Sequence, residues 1–418
     1  MTFLRAATTT TTRLTRTPIA LTRTMSTSIE IPQKMRCVLV KDNQGPAENM
    51  YLGEEEVPKT KEGEVLVKIK AFGLNRMDIM QRQGKYPLPP QASKTIMGVE
   101  FAGEVVKLHG DSEESKEAGN ESENGEKWKL GDEVVGLAYG GAYAEYIALS
   151  SKMIIHKPPH LTPVQAAGVP ENWMTAYQAL FLEGGMKEGE NVLIHAGASG
   201  VGGAAIQLAI KFGANKVFTT AGTDDKVDYL KKLTGGKVHA FNYKTQDFEK
   251  EIKKVDEAGV DLIVDFVGPD YWNQNVSLLR QDGRMILLAA MSGPKLPADS
   301  ALIPILFKRL NIKGSTLRSR SPAYQGDLLG RFEREALGAL GGEDSGMEMK
   351  VPIYKVFSWK DVVGAHKEME ANKNSGKVSF RAELLLSSEL LLDPDAPYHR
   401  LCSRSIDWPP VQQRRDMI

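Results

Sequence analysis

The 418 residues, 41% of them apolar, are enough for two or three hydrophobic cores at roughly 100–200 residues per domain, which excludes a wholly disordered chain. Lys plus Arg (53) equals Asp plus Glu (53), so no net field draws the chain to nucleic acid or an anionic membrane, and no run approaches the roughly 20 apolar residues of a membrane span. The two cysteines, Cys37 and Cys402, exclude a disulfide framework and a Cys-rich zinc lobe, and fit a reducing compartment.

Residues 1–35 carry Arg5, Arg13, Arg16, Arg23 and Lys34, a threonine run from Thr8 to Thr12, and no acid before Glu30. That is the composition of a mitochondrial transit peptide; an unstructured basic tail is the plainer alternative. A start at Met25 would remove most of the basic segment, so the expected locations are the mitochondrial matrix and the cytoplasm. From Cys37 the chain turns to short β-branched runs separated by turns, "CVLV", "GEVLVKIKAFGLN", "GVEFAGEVVKL", "GDEVVGLA" and "GAYAEYIALS", which predict a mostly antiparallel β domain. Gly110 to Lys127 interrupts it with seven acids against two lysines and reads as a solvated loop insertion.

From Pro163 the texture alternates: helix "TPVQAAGV", strand "NVLIHAG", helix "GVGGAAIQLAIKFG", strand "KVFTTAG", helix "DKVDYLKKL", strands "DLIVDFVG" and "RMILLAA". Strand and helix in alternation, with nearly continuous apolar strands, predict an α/β doubly wound parallel sheet covered on both faces. The stretches "LLGRFEREALGAL", "EMKVPIYKVFSW" and "DVVGAHKEMEANKN" then return to the first domain. The expected organisation is therefore a β domain from 36–162 and 305–378, with a dinucleotide-binding domain from 163–304 inserted in it. Residues 379–418 follow no such pattern and are expected to be a disordered extension or the product of a mis-spliced or read-through gene.

The strand "NVLIHAG" runs into Ala198-Ser199-Gly200-Val201-Gly202-Gly203 and then a helix whose Val201, Ala205, Leu208 and Phe212 share one face. Strand, tight glycine turn and helix aim free backbone N–H groups and the positive helix end at a pyrophosphate. The spacing is G-x-x-G-x-G at Gly197, Gly200 and Gly202, a variant of the usual fingerprint. At the end of the next strand an NAD enzyme places an acid on the ribose hydroxyls, whereas an NADP enzyme supplies a cation. Ala221, Gly222 and Thr223 carry no acid there and Lys226 follows one helical turn later, which predicts NADPH; Asp224 and Asp225 cut the other way unless they serve the helix start.

Taken together, "GLNRMDIMQRQGKYPLPP", "MGVEFAGEV", "GDEVVGL", "GGAYAEY", "PENWMTAYQAL", "VLIHAGASGVGGAAIQLA" and "MEANKNSGKV" resemble the zinc-free quinone oxidoreductase branch of the medium-chain dehydrogenase/reductase superfamily over about residues 35–378. The resemblance implies a GroES-like catalytic domain beside a Rossmann domain, a homodimer, and a quinone or enone substrate, with neither nucleic acid nor membrane as partner. Zinc-bearing members have a ligand Cys at the Asn75 position and Gly-His-Glu at Gly98-Val99-Glu100, so no metal is expected. The seven histidines show no ligand spacing either.

The same resemblance implies that Asn75 and Tyr86 line the catalytic cleft; the residues alone equally suit a turn Asn and a Tyr set before the rigid Pro87. For the cofactor it implies Thr175 near the nicotinamide and Tyr243 near the adenosine phosphate. Val267, Gly268, Ala290 and Met291 would lie at strand ends, and Leu317 and Arg318 in a loop over the cofactor, although Arg318 also suits a plain surface charge. Lys377 completes the set. The expected activity is NADPH-dependent hydride transfer to quinones. The alternatives are a mitochondrial 2-enoyl-thioester reductase with Tyr86 as proton donor, and a non-catalytic protein that binds NADPH or RNA, as lens-recruited members of the branch do.

Overall fold

The first strand begins earlier than the sequence suggests: Lys34–Val40 (β1) pairs antiparallel with Met50–Glu56 (β2), so Lys34 and Met35 belong to the folded domain and the boundary at 35 is corrected. The structure is a computed structural model that describes residues 30–109, 122–123, 125, 127–342, 346 and 348–382. Residues 1–29, where a transit segment is expected, most of the acidic insertion and residues 383–418 lie outside the described residues.

The 11-residue Glu64–Leu74 (β3) is the spine of the catalytic domain. It leads into the helix Arg76–Arg82 (α1), followed by Glu100–Leu108 (β4), Glu133–Leu137 (β5), Tyr146–Ser150 (β6) and Ile154–His156 (β7). The short helices Pro163–Ala166 (α2) and Pro170–Tyr177 (α3) come next, each with proline in its first turn, where the missing N–H costs nothing.

The second domain contains Asn191–Ile194 (β8), Gly200–Lys211 (α4), Lys216–Ala221 (β9), Asp224–Leu233 (α5), Val238–Asn242 (β10), Phe248–Val255 (α6), Val260–Asp265 (β11), Trp272–Leu278 (α7), Leu279–Leu287 (β12), Ile303–Phe307 (α8) and Asn311–Gly314 (β13). Its six strands are all parallel in the order β10-β9-β8-β11-β12-β13. The winding reverses between β8 and β11, and in such sheets ligands sit at the carboxyl ends of the strands at that point. Alternation along the strands divides the core: Leu193, Phe218, Ile263 and Met285 pack with Phe248, Ile252, Trp272 and Val276, while Val192 and Ile194 join the larger cluster with Ala205 and Leu208 of α4.

The chain then returns through Pro322–Glu335 (α9), the two-residue strands Leu340–Gly341 (β14) and Met349–Lys350 (β15), Ile353–Ser358 (β16), Val362–Glu370 (α10) and Lys377–Arg381 (β17). The catalytic sheet runs β16-β17-β3-β4-β5-β7, with β6 also on β3. Two expected boundaries are corrected here. The dinucleotide domain extends past 304 to Gly314, because β13 joins its sheet through backbone pairing with β12, although Ile312 is its only large apolar side chain. The catalytic domain runs past 378 to Ala382: β17 pairs with both β16 and β3, so the last strand is present and interior. β10 and α6 were also not foreseen; α6 buries only Phe248 and Ile252, too sparse a stripe to stand out among its charges.

Candidate active site

Where β3 ends, the chain must turn into α1, and Asn75 occupies that N-cap in extended conformation (φ −126°, ψ 156°). Its backbone N–H donates to Asp78 Oδ2 at 2.8 Å, so the cap is closed by Asp78 and the Asn75 side chain remains available. Asn75 Nδ2 donates to Glu100 Oε1 (2.7 Å), and Asn75 Oδ1 accepts from Lys377 Nζ (2.7 Å). Lys377 also forms an ion pair with Glu100, and the second Glu100 oxygen accepts the backbone N–H of Glu171 at 2.8 Å. The stacked rings of Phe72 and Phe380, 4.8 Å between centroids, tie β3 to β17 just below and fix the approach of Asn75 to Lys377. Gly73 is required beside them: a Cβ there would lie 2.3 Å from Glu100 Oε1 and 2.6 Å from Lys377 Cε.

Around this closed cluster stand groups with unspent capacity. Asp78 is fully buried, accepts a 3.3 Å bond from the Tyr143 hydroxyl, and leaves Oδ1 without a partner among the described residues. Burial pushes its carboxyl up to about 6. Tyr86 is half-buried, with the Arg318 guanidinium over its ring at 5.5 Å, and burial raises its phenol above the ordinary range. Arg318 is itself 3% exposed; it donates through Nε to Tyr139 O (3.0 Å) and through Nη1 to Gln81 Oε1 (2.8 Å), so it is an anchored residue of the cleft rather than a plain surface charge. Leu317 beside it is buried.

Donor chemistry at this cluster does not suit zinc. Val99 offers an alkyl group, the Asn75 amide is committed at both ends, and Glu100 is neutralised by Lys377. His195 is a core residue, held by Thr220 Oγ1 (3.0 Å) and Asn275 Oδ1 (2.8 Å).

The dinucleotide loop is built as its pattern predicts. Ser199 caps α4, its hydroxyl accepting from Gly202 N at 3.0 Å, while the backbone of Ala198, Ser199, Gly200 and Val201 rounds the turn. A side chain at Gly202 would strike Ala196 O at 2.3 Å, so only glycine allows the loop to double back on β8. Thr223 caps α5, and Asp224 accepts from Asn242 Nδ2 at 2.8 Å, which gives one of the two acids after β9 a structural role. Lys226 Nζ donates to Asn372 O (2.8 Å) and Arg76 donates to Asn372 Oδ1 (2.6 Å); burial first, and then the fields of Arg76 and Lys244, lower the Lys226 pKa. Tyr243 lies against Gly222 and is 44% exposed.

Towards the other end, Thr175 Oγ1 is buried without a partner among the described residues. The N–H groups of Val267 (2.7 Å) and Gly268 (3.2 Å) are held by Asp265 at the end of β11. A cavity of about 720 Å³ opens at the carboxyl ends of β11, β12 and β13, lined by Gly268, Leu288, Ala290 and Thr316 among others. Met291 is 57% exposed. Asn75, Tyr86, Arg318 and Lys377 are thus gathered on the catalytic side and the loop residues on the dinucleotide side.

Sequence reasoning missed Asp78, Glu171 and Arg76. "NRMD" and "PENW" do carry signals, an acid at the third position of a helix and an acid after a helix-starting proline, but both are ordinary helix starts.

Fold and site together define a two-domain dinucleotide-dependent oxidoreductase. Residues 61–159 match the alcohol dehydrogenase GroES-like domain family and residues 200–333 the zinc-binding dehydrogenase family. The human synaptic vesicle membrane protein VAT-1 homolog is 30% identical over 328 residues, 76% of this chain and 78% of that one. Human quinone oxidoreductase is 29% identical over 338 residues, 80% and 94%. The structure of the quinone oxidoreductase from Coxiella burnetii superposes with a TM-score of 0.64 at 27% identity, covering 84% of this chain and 100% of that one. The chain belongs to the medium-chain dehydrogenase/reductase superfamily, in its zinc-free quinone oxidoreductase branch, whose members bind nicotinamide dinucleotides.

Proposed function

We propose that this protein is an NADPH-dependent reductase that passes hydride to quinones. The observation that carries the reading is the closed Asn75–Glu100–Lys377 cluster, built where zinc-bearing relatives carry a ligand Cys at the Asn75 position and Gly-His-Glu at Gly98-Val99-Glu100. It leaves positioning and hydrogen bonding as the chemistry available, and a quinone accepts hydride without a Lewis acid. Bound NADPH supplies the hydride. The loop at Ser199–Gly202 binds its pyrophosphate, and Lys226 with Arg76 and Lys244 answers the extra phosphate that separates NADPH from NADH. The unpartnered Thr175 hydroxyl suits the carboxamide, and Asn75 and Tyr86 orient the acceptor.

Steady-state cofactor oxidation across ortho- and para-quinones, enals and a short enoyl thioester tests this. Quinones should be reduced fastest and NADPH preferred to NADH. Lys226→Ala should raise the KM for NADPH by about 10–100-fold, the worth of one charged hydrogen bond, while leaving NADH unaffected. An enoyl thioester faster than every quinone would overturn the reading in favour of a second, which rests on the Tyr86 hydroxyl having no partner among the described residues. In that case Tyr86→Phe should abolish enoyl reduction, whereas quinone reduction should survive it in part.

We also propose a homodimer. β13 is a sheet edge with no further strand beside it among the described residues, and α8 with the preceding Leu302 exposes Leu302 (79%), Ile303, Leu306 and Phe307 (71%). Light scattering should give twice the chain mass, and Leu306→Glu with Phe307→Glu should give the monomer.

A further inference from the structure

The strap between α10 and β17, residues 371–376, runs where the two domains meet. At its far end the Gly376 N–H donates to Ala198 O of the phosphate loop (3.0 Å), and the next residue, Lys377, reaches Asn75. At its near end stands Asn372, in the left-handed conformation that asparagine tolerates (φ 55°). It takes one cation from each domain: its backbone oxygen accepts from Lys226 Nζ on α5 (2.8 Å), and its side-chain oxygen from Arg76 Nη2 on α1 (2.6 Å), 296 residues away. Both cations are half-buried, and Lys244 is close enough to add its field to Lys226 after burial and Arg76. None of the three forms an ion pair among the described residues. Glu370, whose field reaches Arg76, is paired with Arg82; Asp224 accepts from Asn242, and Asp225 is exposed in the first turn of α5, where the helix end favours it. Two neutral oxygens of one asparagine therefore hold two cations and leave their charge uncompensated, which a phosphate dianion would cancel through stronger, charge-assisted bonds.

We propose that Arg76, from the catalytic domain, grips the 2′-phosphate of NADPH together with Lys226 from the dinucleotide domain, so that this phosphate ties the two domains together one residue away from Asn75. The inference rests on the NADPH reading above and deepens it. The phosphate takes the place of the Asn372 oxygens, and the guanidinium fork suits its geometry better than an ammonium does. Arg76 is the first residue of α1 and Asn75 is its cap, so whatever holds Arg76 also holds the start of that helix and, with it, the amide that Glu100 and Lys377 fix. NADH has no such phosphate; it leaves both cations on Asn372 and makes no tie at this corner. Arg76 is thus a specificity-determining residue that acts from the domain opposite the one that carries the dinucleotide loop.

The nucleotide fragment 2′,5′-ADP carries the phosphate without the nicotinamide, and 5′-AMP lacks it. In calorimetry the wild type should bind 2′,5′-ADP about 100-fold more tightly than 5′-AMP. Arg76→Met should lose about 10-fold of the affinity for 2′,5′-ADP and none of that for 5′-AMP, a selectivity that a folding defect does not produce. Arg76→Lys, which keeps the charge without the fork, should recover part of the loss. Hydrogen exchange at the backbone amides of α1 should slow when 2′,5′-ADP is added to the wild type, but not with 5′-AMP and not in Arg76→Met. Wild-type affinity for 2′,5′-ADP in Arg76→Met, or α1 exchange in the wild type that does not respond to 2′,5′-ADP, overturns this proposal alone. A wild type that binds 2′,5′-ADP no more tightly than 5′-AMP overturns the NADPH reading and this proposal with it.

Discussion

Lys377 and Glu100 are 277 residues apart, and both are almost wholly withdrawn from water, 3% and 0% exposed. Such a pair contributes little net stability compared with apolar replacements, yet breaking it strands a buried charge at a cost of about 3–5 kcal/mol. Lys377→Met should therefore destabilise the fold by that amount in urea titration, and adding Glu100→Gln should restore much of it. The sequence hides this arrangement. "SGKV" marks a strand start, "GVE" the beginning of another, and neither string shows that two strands from opposite ends of the chain flank β3. Asn75 and Tyr86 were legible only through the family resemblance, because an Asn before a helix and a Tyr before a proline have ordinary local explanations. Glu171 had the same disguise. Its raised carboxyl pKa comes first from burial and then from Glu100, which the chain brings near it from a distant strand.

The element that sequence describes best is the β8–α4 unit, because its requirements are local. A buried strand, a serine cap and a glycine that must double back all fall within 21 residues, Asn191–Lys211. Gly202→Val drives a side chain into Ala196 O, so the variant should lose NADPH binding in a fluorescence titration. Ser199→Ala, which removes only the cap, should cost about 1 kcal/mol of stability. The elements least legible were β10 and β13, the two edges of the same sheet. An edge strand is half covered, and its membership is decided by backbone pairing with a neighbour rather than by an apolar pattern of its own. That is why the sequence pattern leaves the dinucleotide domain short by the ten residues 305–314, and the catalytic domain short by residues 379–382, whose place in β17 becomes apparent only between β16 and β3.

For the molecule as a whole, the buried ionisable groups set opposing demands on pH. Glu171 is pushed from 4.5 to about 8 and Asp78 from 3.8 to about 6, so each holds a proton in the folded chain that it gives up in the unfolded one. Their contributions are complete below the unfolded values and are lost as pH rises to about 6 for Asp78 and about 8 for Glu171. His366, buried without a partner among the described residues, goes the other way: its imidazole is lowered from 6.5 to about 3. It folds neutral, so its contribution is complete above 6.5 and disappears as pH falls toward 3. Between about 4.5 and 6.5 the histidine and the glutamate oppose one another, and above 6.5 the glutamate acts alone, at up to about 1.4 kcal/mol per pH unit for one proton. Urea midpoints measured across this range should decline from about pH 6.5 to 8 in the wild type and stay level in Glu171→Gln. His366→Phe should shrink the acid limb, to which buried His195, also lowered by burial, contributes in the same direction, and leave the alkaline one. A decline of equal slope in Glu171→Gln would mean that the groups titrating on the alkaline side lie elsewhere in the fold.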